Sequence, residues 1–302
     1  MEDLDFSAIA PHPEAAAHAT AQVAAKSPLY EPALALEFFR AAATMEEMPA
    51  GKPVFAENEK AGWFSKGARM YLLLDGEIGL MIRNKLFGAV KPGEIFGELA
   101  VIAGLPRSAT AMANTNCRVL SLDKDQFHAA LEKKPEFALM LMGTMVHRLR
   151  ESIAKLGTAR PAAGAPAERS DDLDRESLES LQAELAAQEP ASFPAGRLIM
   201  SAGAAGAFMY VVLEGRVAIS VGNSVVERVG PGGIFGEMAL VDRSTRAASA
   251  TAVADCRLLA ISRTAFINLV KARPAFGASL LKSIAVRMHQ LAQQVAQLPN
   301  QK

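Results

Sequence analysis

The fold of this chain is decided by a repeated stretch, Pro92-Gly93-Glu94-Ile95-Phe96-Gly97-Glu98-Leu99-Ala100, which returns 139 residues later as Pro231-Gly232-Gly233-Ile234-Phe235-Gly236-Glu237-Met238-Ala239. The same offset relates Arg107 to Arg246, and half of the twenty positions from 92 to 111 are identical in the two copies. A repeat of this length indicates a tandem duplication in which each copy forms one domain.

The repeat divides the 302 residues into two domains of ordinary size. We place an N-terminal tail at residues 1–28, a first domain at 29–156 and a second domain at 171–302. Residues 157–170, which are rich in Ala, Gly and Pro, are interpreted as a linker. The leucine spacing predicts that the second domain opens with a polar helix over Asp171–Gln188.

Short β-type segments separated by Gly and acidic-Gly turns dominate the first part of each copy, and Met70–Leu74 corresponds to Met209–Leu213. Each copy ends in a long helical pattern, Glu136–Leu156 and Ala275–Leu298. The predicted fold class is mainly β with α: two tandem antiparallel β-rolls, jelly-roll-like, each flanked by helices.

The two terminal helices carry apolar residues at alternating spacings of three and four. This pattern fits a helix that packs on its own domain. It fits equally a coiled-coil-like pair, either between the copies or between two chains. The apolar positions in the second copy are Leu281, Ile284, Met288, Leu291, Val295 and Leu298, and the matched positions in the first copy are Met142, Met145, Leu149, Ser152 and Leu156.

Composition argues against several classes of protein. Lys and Arg number 32, as do Asp and Glu, so no bulk charge attracts nucleic acid or an anionic membrane. No apolar run approaches a membrane span, and the acidic start Met1-Glu2-Asp3 is unlike a signal peptide. We therefore expect a cytoplasmic protein with no nucleic-acid and no membrane partner.

Catalytic and metal-binding patterns are also missing from the sequence. The five histidines have no metal-ligand spacing, and neither a nucleophile elbow nor a Walker loop is present. Cys117 and Cys256 occupy the same position in the two copies, which favours a buried structural role over a redox pair. We expect neither an enzyme nor a metal site.

The repeated stretch has the residue types of a phosphate and sugar site. Gly97 lets a ligand approach the backbone closely, and if residues 97–100 begin a short helix, their free N–H groups favour an anion. Arg107, nine residues after Glu98, is expected to return to this place, where its guanidinium suits a phosphate. An ionised Glu98 accepts hydrogen bonds and suits sugar hydroxyls. The pattern predicts a ribose and a phosphate held close together.

Phe-Gly-Glu-[Leu/Met]-Ala, followed nine residues after Glu by Arg and small residues, resembles the phosphate-binding cassette of the cyclic nucleotide-binding domain family. That family includes the catabolite activator protein and the regulatory subunits of cyclic-nucleotide-dependent protein kinases. The resemblance covers both copies, roughly residues 30–156 and 172–298. It implies two β-rolls with terminal helices and two sites for cAMP, with cGMP as the other possible ligand.

The resemblance also implies roles for individual residues of the first copy. Glu98 and the backbone of Gly97 correspond to the contacts with the ribose 2′-hydroxyl. Arg107 and the backbone of Leu99–Ala100 correspond to those with the cyclic phosphate. Ser108 corresponds to a hydroxyl that also reaches the phosphate.

In the second copy the same roles fall to Gly236, Glu237 and Arg246, with Met238–Ala239 supplying the backbone and Ala247 following the arginine. Because a hydroxyl residue after the arginine favours cGMP in the family, Ala247 implies that the second site prefers cAMP. The first site is expected to be more permissive.

The terminal helices correspond to the part of the family fold that meets the base. Ser152 falls where a family member contacts the adenine amino group. Leu291 is its counterpart in the second copy, and it can cap the base only through apolar contact.

The predicted function is that of a cyclic nucleotide receptor without an effector domain of its own. Its sequence shows neither a helix-turn-helix after the second copy nor an Arg-Arg inhibitor segment before the first. Output is expected through a partner protein or through assembly, including a homodimer formed by the terminal helices. The alternative is a structural or interaction scaffold with vestigial sites. A DNA-binding regulator and a cupin-type enzyme are disfavoured by the neutral charge and the missing metal ligands.

Overall fold

A computed structural model describes residues 29–59, 67–158, 166–170, 172–173, 175–185 and 189–296. The tail predicted at residues 1–28 lies outside the described residues. So do the ends of the helix predicted over Asp171–Gln188.

The elements of the first copy are α1 (Pro32–Arg40), β1 (Thr44–Met48), β2 (Pro53–Phe55), β3 (Met70–Asp75), β4 (Ile78–Ile82), β5 (Lys85–Val90), β6 (Ile95–Phe96), α2 (Glu98–Ala103), β7 (Thr110–Ala113), β8 (Cys117–Leu122), α3 (Lys124–Lys133) and α4 (Glu136–Thr158). Its strands form two four-stranded antiparallel sheets, with strand orders β1-β8-β3-β6 and β2-β7-β4-β5.

The second copy repeats this order after one additional strand. Its elements are β9 (Ala167–Arg169), α5 (Arg175–Glu184), β10 (Ala191–Phe193), β11 (Leu198–Met200), β12 (Phe208–Glu214), β13 (Val217–Val221), β14 (Ser224–Val229), β15 (Ile234–Phe235), α6 (Met238–Asp242), β16 (Ser249–Ala252), β17 (Cys256–Ser262), α7 (Arg263–Ala272) and α8 (Pro274–Ala296).

The two copies share strand order and register, which confirms the predicted pair of helix-flanked β-rolls. The sheets of the second copy run β10-β17-β12-β15 and β11-β16-β13-β14-β9. Leu72 lies opposite Leu120 in the first copy, and Val211 lies opposite Leu259 in the second, at the same 139-residue offset. Because strand register is fixed by which face is buried, a repeat of the apolar pattern reproduces the register.

The predicted linker, residues 157–170, needs a correction at its end. Residues 167–169 form β9, which pairs in parallel with β14 and belongs to the second roll. The Arg169 side chain is buried there, so the segment is part of the domain and not a spacer.

The predicted helix over Asp171–Gln188 starts later than expected, at Arg175. Two residues before that point bond to the roll instead of to a first helical turn. Asp172 accepts a hydrogen bond from the backbone N–H of Ile234 at 2.8 Å, and the N–H of Leu173 donates to the Gly232 carbonyl.

Both cysteines have the structural role expected of them. Cys117 and Cys256 are buried and free, and their thiols donate to the backbone carbonyls of Glu77 and Arg216 at 3.3 Å in each copy.

The terminal helices α4 and α8 pack against each other, and each also packs on the other copy, α4 against α6 and α8 against α2. A Cβ added to Gly277 would lie 3.3 Å from the Cβ of Ala138, so the two backbones approach closely. The apolar seam is thus a helix pair between the copies, one of the arrangements left open above. The side chains of Leu156, Val295 and Leu298 lie outside the described residues. Among the described residues, no helix is long and apolar enough to cross a membrane.

An aromatic stack anchors α1 to the start of α4. The rings of Phe38 and Phe137 lie parallel with centroids 3.6 Å apart, and both side chains are fully buried. Phe127 and Phe39 meet this stack edge-on. The helical layer of the first copy therefore depends on these rings.

We expect Phe38→Ala to lower the free energy of unfolding by about 3–5 kcal/mol, because it removes a buried ring and leaves a cavity. Urea unfolding followed by circular dichroism measures this loss. Met45→Ala, at a side chain that is 60% exposed, is the matched control and should change stability by about 0.5 kcal/mol or less. Equal effects of the two changes would contradict the assigned core.

Candidate functional site

Each repeated stretch passes from a short strand through a glycine into a short helix. Gly97 has φ +73°, and Gly236 has φ +82°, a region that favours glycine. An added Cβ would lie 2.7 Å from Nη1 of Arg107 in the first copy and 2.8 Å from Nη1 of Arg246 in the second. The glycine is required at both places because the guanidinium lies against its backbone.

The two cassette arginines are buried without a carboxylate partner among the described residues. Arg107 donates to the carbonyls of Gly97 and Arg69, both at 2.9 Å. Arg246 donates to the carbonyls of Gly236 at 2.7 Å and Phe208 at 2.5 Å. Their exposures are 7% and 6%. Carbonyl dipoles orient each guanidinium but leave its charge uncompensated, so each position can take an anion.

Burial lowers the pKa of both cassette arginines, because it disfavours the charged form. Even so, an arginine keeps its proton in a protein. In the first copy the guanidinium carbon of Arg107 also lies 4.0 Å from the ring centre of Phe55, a cation–π contact.

The cassette glutamates are held by arginines of the terminal helices. Arg148 on α4 donates from Nη1 to Oε1 of Glu98 at 2.9 Å, and Arg287 on α8 donates from Nη1 to Oε1 of Glu237 at 2.5 Å. All four side chains are buried. In the second copy the other oxygen, Oε2 of Glu237, is buried and has no hydrogen-bond partner within the described part of the chain. That atom can accept a hydrogen bond from a hydroxyl group.

The second site has a charge network that the first lacks at the matching positions. Arg169 from β9 donates to both oxygens of Glu227, at 2.6 and 3.3 Å, and also bonds Asp172. Arg287 lies 3.7 Å from Glu227. The first copy has Gly88 where the second has Glu227, so the carboxylate at the centre of this network has no counterpart there.

Titration of this network follows from its geometry. Burial tends to raise the pKa of Glu227, but Arg169 and Arg287 outweigh it and hold that pKa below its usual value. Burial tends to lower the pKa of Arg287, but Glu237, Glu227 and Asp172 together raise it. The network is therefore charged at neutral pH.

A cavity of about 490 Å³, counting its open mouth, faces the first cassette. The residues predicted for this site that line it are Gly97, Glu98, Leu99, Ala100, Arg107 and Ser108. Ser152 does not line it, and its hydroxyl donates to the carbonyl of Arg148 at 3.2 Å. The base contact assigned to Ser152 stays a prediction.

A cavity of about 650 Å³, again counting its mouth, faces the second cassette. The predicted residues that line it are Gly236, Met238, Ala239, Arg246, Ala247 and Leu291. Glu237 is nearly fully buried at 1% exposure, and its partner Arg287 forms part of the cavity wall.

The wall of the second cavity also contains a residue from outside its own roll, Ile153 on α4. Near Ile153, Arg150 makes a bidentate ion pair with Asp242 at the end of α6, with Nη2 to Oδ1 at 3.0 Å. The terminal helix of the first copy therefore reaches the site of the second.

Sequence reasoning missed several residues of these sites, in particular Arg148, Arg287, Glu227, Ile153 and Gln290. One signal was present, because Arg148 and Arg287 recur at the repeat offset among apolar helix positions. A charge repeated on an otherwise buried helix face indicates a buried partner. For Ile153 no local signal exists, because its contact is with the other copy.

The buried pairing of Glu227 predicts an acid-sensitive stability. Its folded pKa is lowered from 4.5, so its contribution is present above about pH 4.5 and is lost as pH falls through the folded pKa. Glu227→Gln should cost roughly 3–5 kcal/mol at pH 7, because it leaves Arg169 poorly compensated. The deficit should shrink as pH falls below 4.5.

Urea unfolding at a series of pH values measures this deficit. Glu214→Gln, which breaks an exposed pair with Arg257, is the control and should cost about 0–1 kcal/mol. A deficit for Glu227→Gln that stays constant down to pH 3 would contradict the assigned pairing.

Comparisons with known proteins find one matching family and several similar solved structures. The family model for the cyclic nucleotide-binding domain matches residues 45–134 and again residues 190–273. The regulatory domain of Toxoplasma gondii PKA with cAMP is 22% identical, with 90% of this chain and 99% of that chain covered and a TM-score of 0.28.

Two further solved structures are similar. The regulatory subunit of a cAMP-independent protein kinase A from Trypanosoma brucei is 17% identical, with 97% and 92% of the two chains covered and a TM-score of 0.31. The Thermus thermophilus catabolite activator protein is 26% identical, with 43% of this chain and 62% of that chain covered and a TM-score of 0.37. The two matches to the family model span more than half of the sequence, and the chain belongs to the cyclic nucleotide-binding domain family.

Proposed function

We propose that this protein is a non-enzymatic, cytoplasmic receptor that binds cAMP at two sites, with cGMP as a second ligand of the first site. The observation that carries the proposal is the buried, uncompensated guanidinium repeated in both cassettes, Arg107 and Arg246. A cyclic phosphate carries the single negative charge that each position needs.

The glutamates supply the other half of the recognition. Oε2 of Glu237 is a buried acceptor to which no described residue donates, and a ribose 2′-hydroxyl would supply the missing donor. In the first site Oε1 of Glu98 is held by Arg148, which orients the carboxylate toward the cavity it lines. The phosphate and the ribose are thus gripped by the roll, and the base extends toward the terminal helix.

The signal is carried by the terminal helices α4 and α8. On α4, Arg148 pairs with the first cassette, while Arg150 and Ile153 contact the second. A ligand that favours one position of α4 therefore acts on both sites. A typical coupling of about 1–3 kcal/mol changes the binding of a second ligand or partner severalfold or more. The output is a partner protein or a homodimer that meets these helices.

Removal of the cassette arginines tests the sites. We expect Arg107→Ala and Arg246→Ala each to abolish one of two cAMP binding events, because a charge-assisted contact in a desolvated site contributes roughly 2–5 kcal/mol. Calorimetry on the full chain with cAMP and with cGMP counts the events and ranks the ligands. The Arg246→Ala protein, which keeps Ser108 next to Arg107, should bind cGMP better than the Arg107→Ala protein.

The control for this experiment is Arg257→Ala, at an exposed arginine near the start of β17. It should leave both binding events unchanged. If the double variant Arg107→Ala/Arg246→Ala binds cAMP as the unaltered protein does, the site assignment is wrong. If the unaltered protein binds neither nucleotide, the scaffold with vestigial sites is the correct function.

Hydrogen exchange tests the helix movement. We expect cAMP to change amide protection in α4 and α8 as well as in the cassettes, because the base is covered by these helices. Mass spectrometry with and without cAMP measures this protection. If the changes in protection are confined to residues 96–110 and 235–249, the ligand stabilises the roll by mass action alone and does not move the helices.

A further inference from the structure

Gln290 presents an unused hydrogen-bond acceptor to the second cavity. Its side chain lines the cavity, and its Oε1 atom is buried with no partner among the described residues. A buried polar atom without a partner is destabilising, so it is usually retained where a ligand or water completes it. The amide therefore marks a place where a ligand donor is expected.

The position of Gln290 along α8 places it beside the base. Arg287, three residues earlier, pairs with Glu237, the proposed ribose contact. Three residues of α-helix advance about 4.5 Å and return to the same face. The base lies farther from the phosphate than the ribose does, so it extends from Glu237 toward Gln290 and Leu291, and both of these line the cavity.

On the premise of the proposed function, we propose that Gln290 is a specificity-determining residue that accepts a hydrogen bond from the 6-amino group of adenine in the second site. An amide matches adenine well, because it can accept from the 6-amino group while donating to a ring nitrogen. Guanine has a carbonyl oxygen at this position, which has no hydrogen to donate to Oε1. Leu291 packs on the base without reading it.

At the matching position, the first copy has no residue placed to form a hydrogen bond with the base. Gln290 corresponds to Glu151 at the repeat offset. Glu151 pairs with His147 at 3.6 Å on the outer part of α4 and does not line the first cavity. The two sites therefore differ in the hydrogen bonds that they offer to the base.

The test removes the 6-amino group and its proposed partner in turn. The full chain carries Arg107→Ala throughout, so that only the second site binds. Calorimetry compares cAMP with purine riboside 3′,5′-cyclic monophosphate, which is cAMP without the 6-amino group. We expect the parent protein to bind cAMP about tenfold more tightly than the purine analogue. In Gln290→Met the two ligands should bind within twofold of each other.

Glu151→Met, the matching change in the first copy, is the control and should keep the tenfold preference. Equal binding of the two ligands by the parent, or a tenfold preference that survives in Gln290→Met, would overturn the assignment while leaving the proposed function intact. Failure of the parent to bind either ligand would overturn the second site itself. Unchanged circular dichroism spectra establish that each variant is folded.

Discussion

The ion pair between each terminal helix and its cassette glutamate constrains everything else in the site. A carboxylate and a guanidinium that are both removed from water must meet each other, because either alone is strongly destabilising. Arg148 therefore fixes where α4 lies relative to Glu98, and Arg287 does the same for α8 and Glu237. In each copy, this ion pair therefore joins the terminal helix to the cassette.

The wall of the second cavity differs in chemistry from the matching part of the first copy. Glu227 stands where the first copy has Gly88, and a buried carboxylate requires the guanidinium that Arg169 supplies. Glycine has no side chain and needs no such partner. The wall of the second cavity is therefore the more strongly charged of the two.

Much of the fold was predictable from the sequence, because the repeat transfers every local signal from one copy to the other. The cassettes were predictable for a similar reason, since Gly97 and Arg107 are separated by few residues, with Gly97 just before α2 and Arg107 in the loop between α2 and β7. Strand β9 was missed because three residues are too few for a periodic pattern. The pairing of Arg148 with Glu98 spans fifty residues, and the contact of Ile153 is with the other copy, so neither leaves a local pattern.

Strand β9 also limits how far the two rolls can separate. It is anchored in the second roll by pairing with β14 and by the ion pairs of Arg169, and α4 ends only nine residues earlier, at Thr158. Nine residues span at most about 30 Å when fully extended. If α4 and α8 part, they remain at an effective concentration on the order of millimolar, which is typical of short connections. Their reassociation is then intramolecular, and the balance between paired and parted helices is independent of how much of the protein a cell contains.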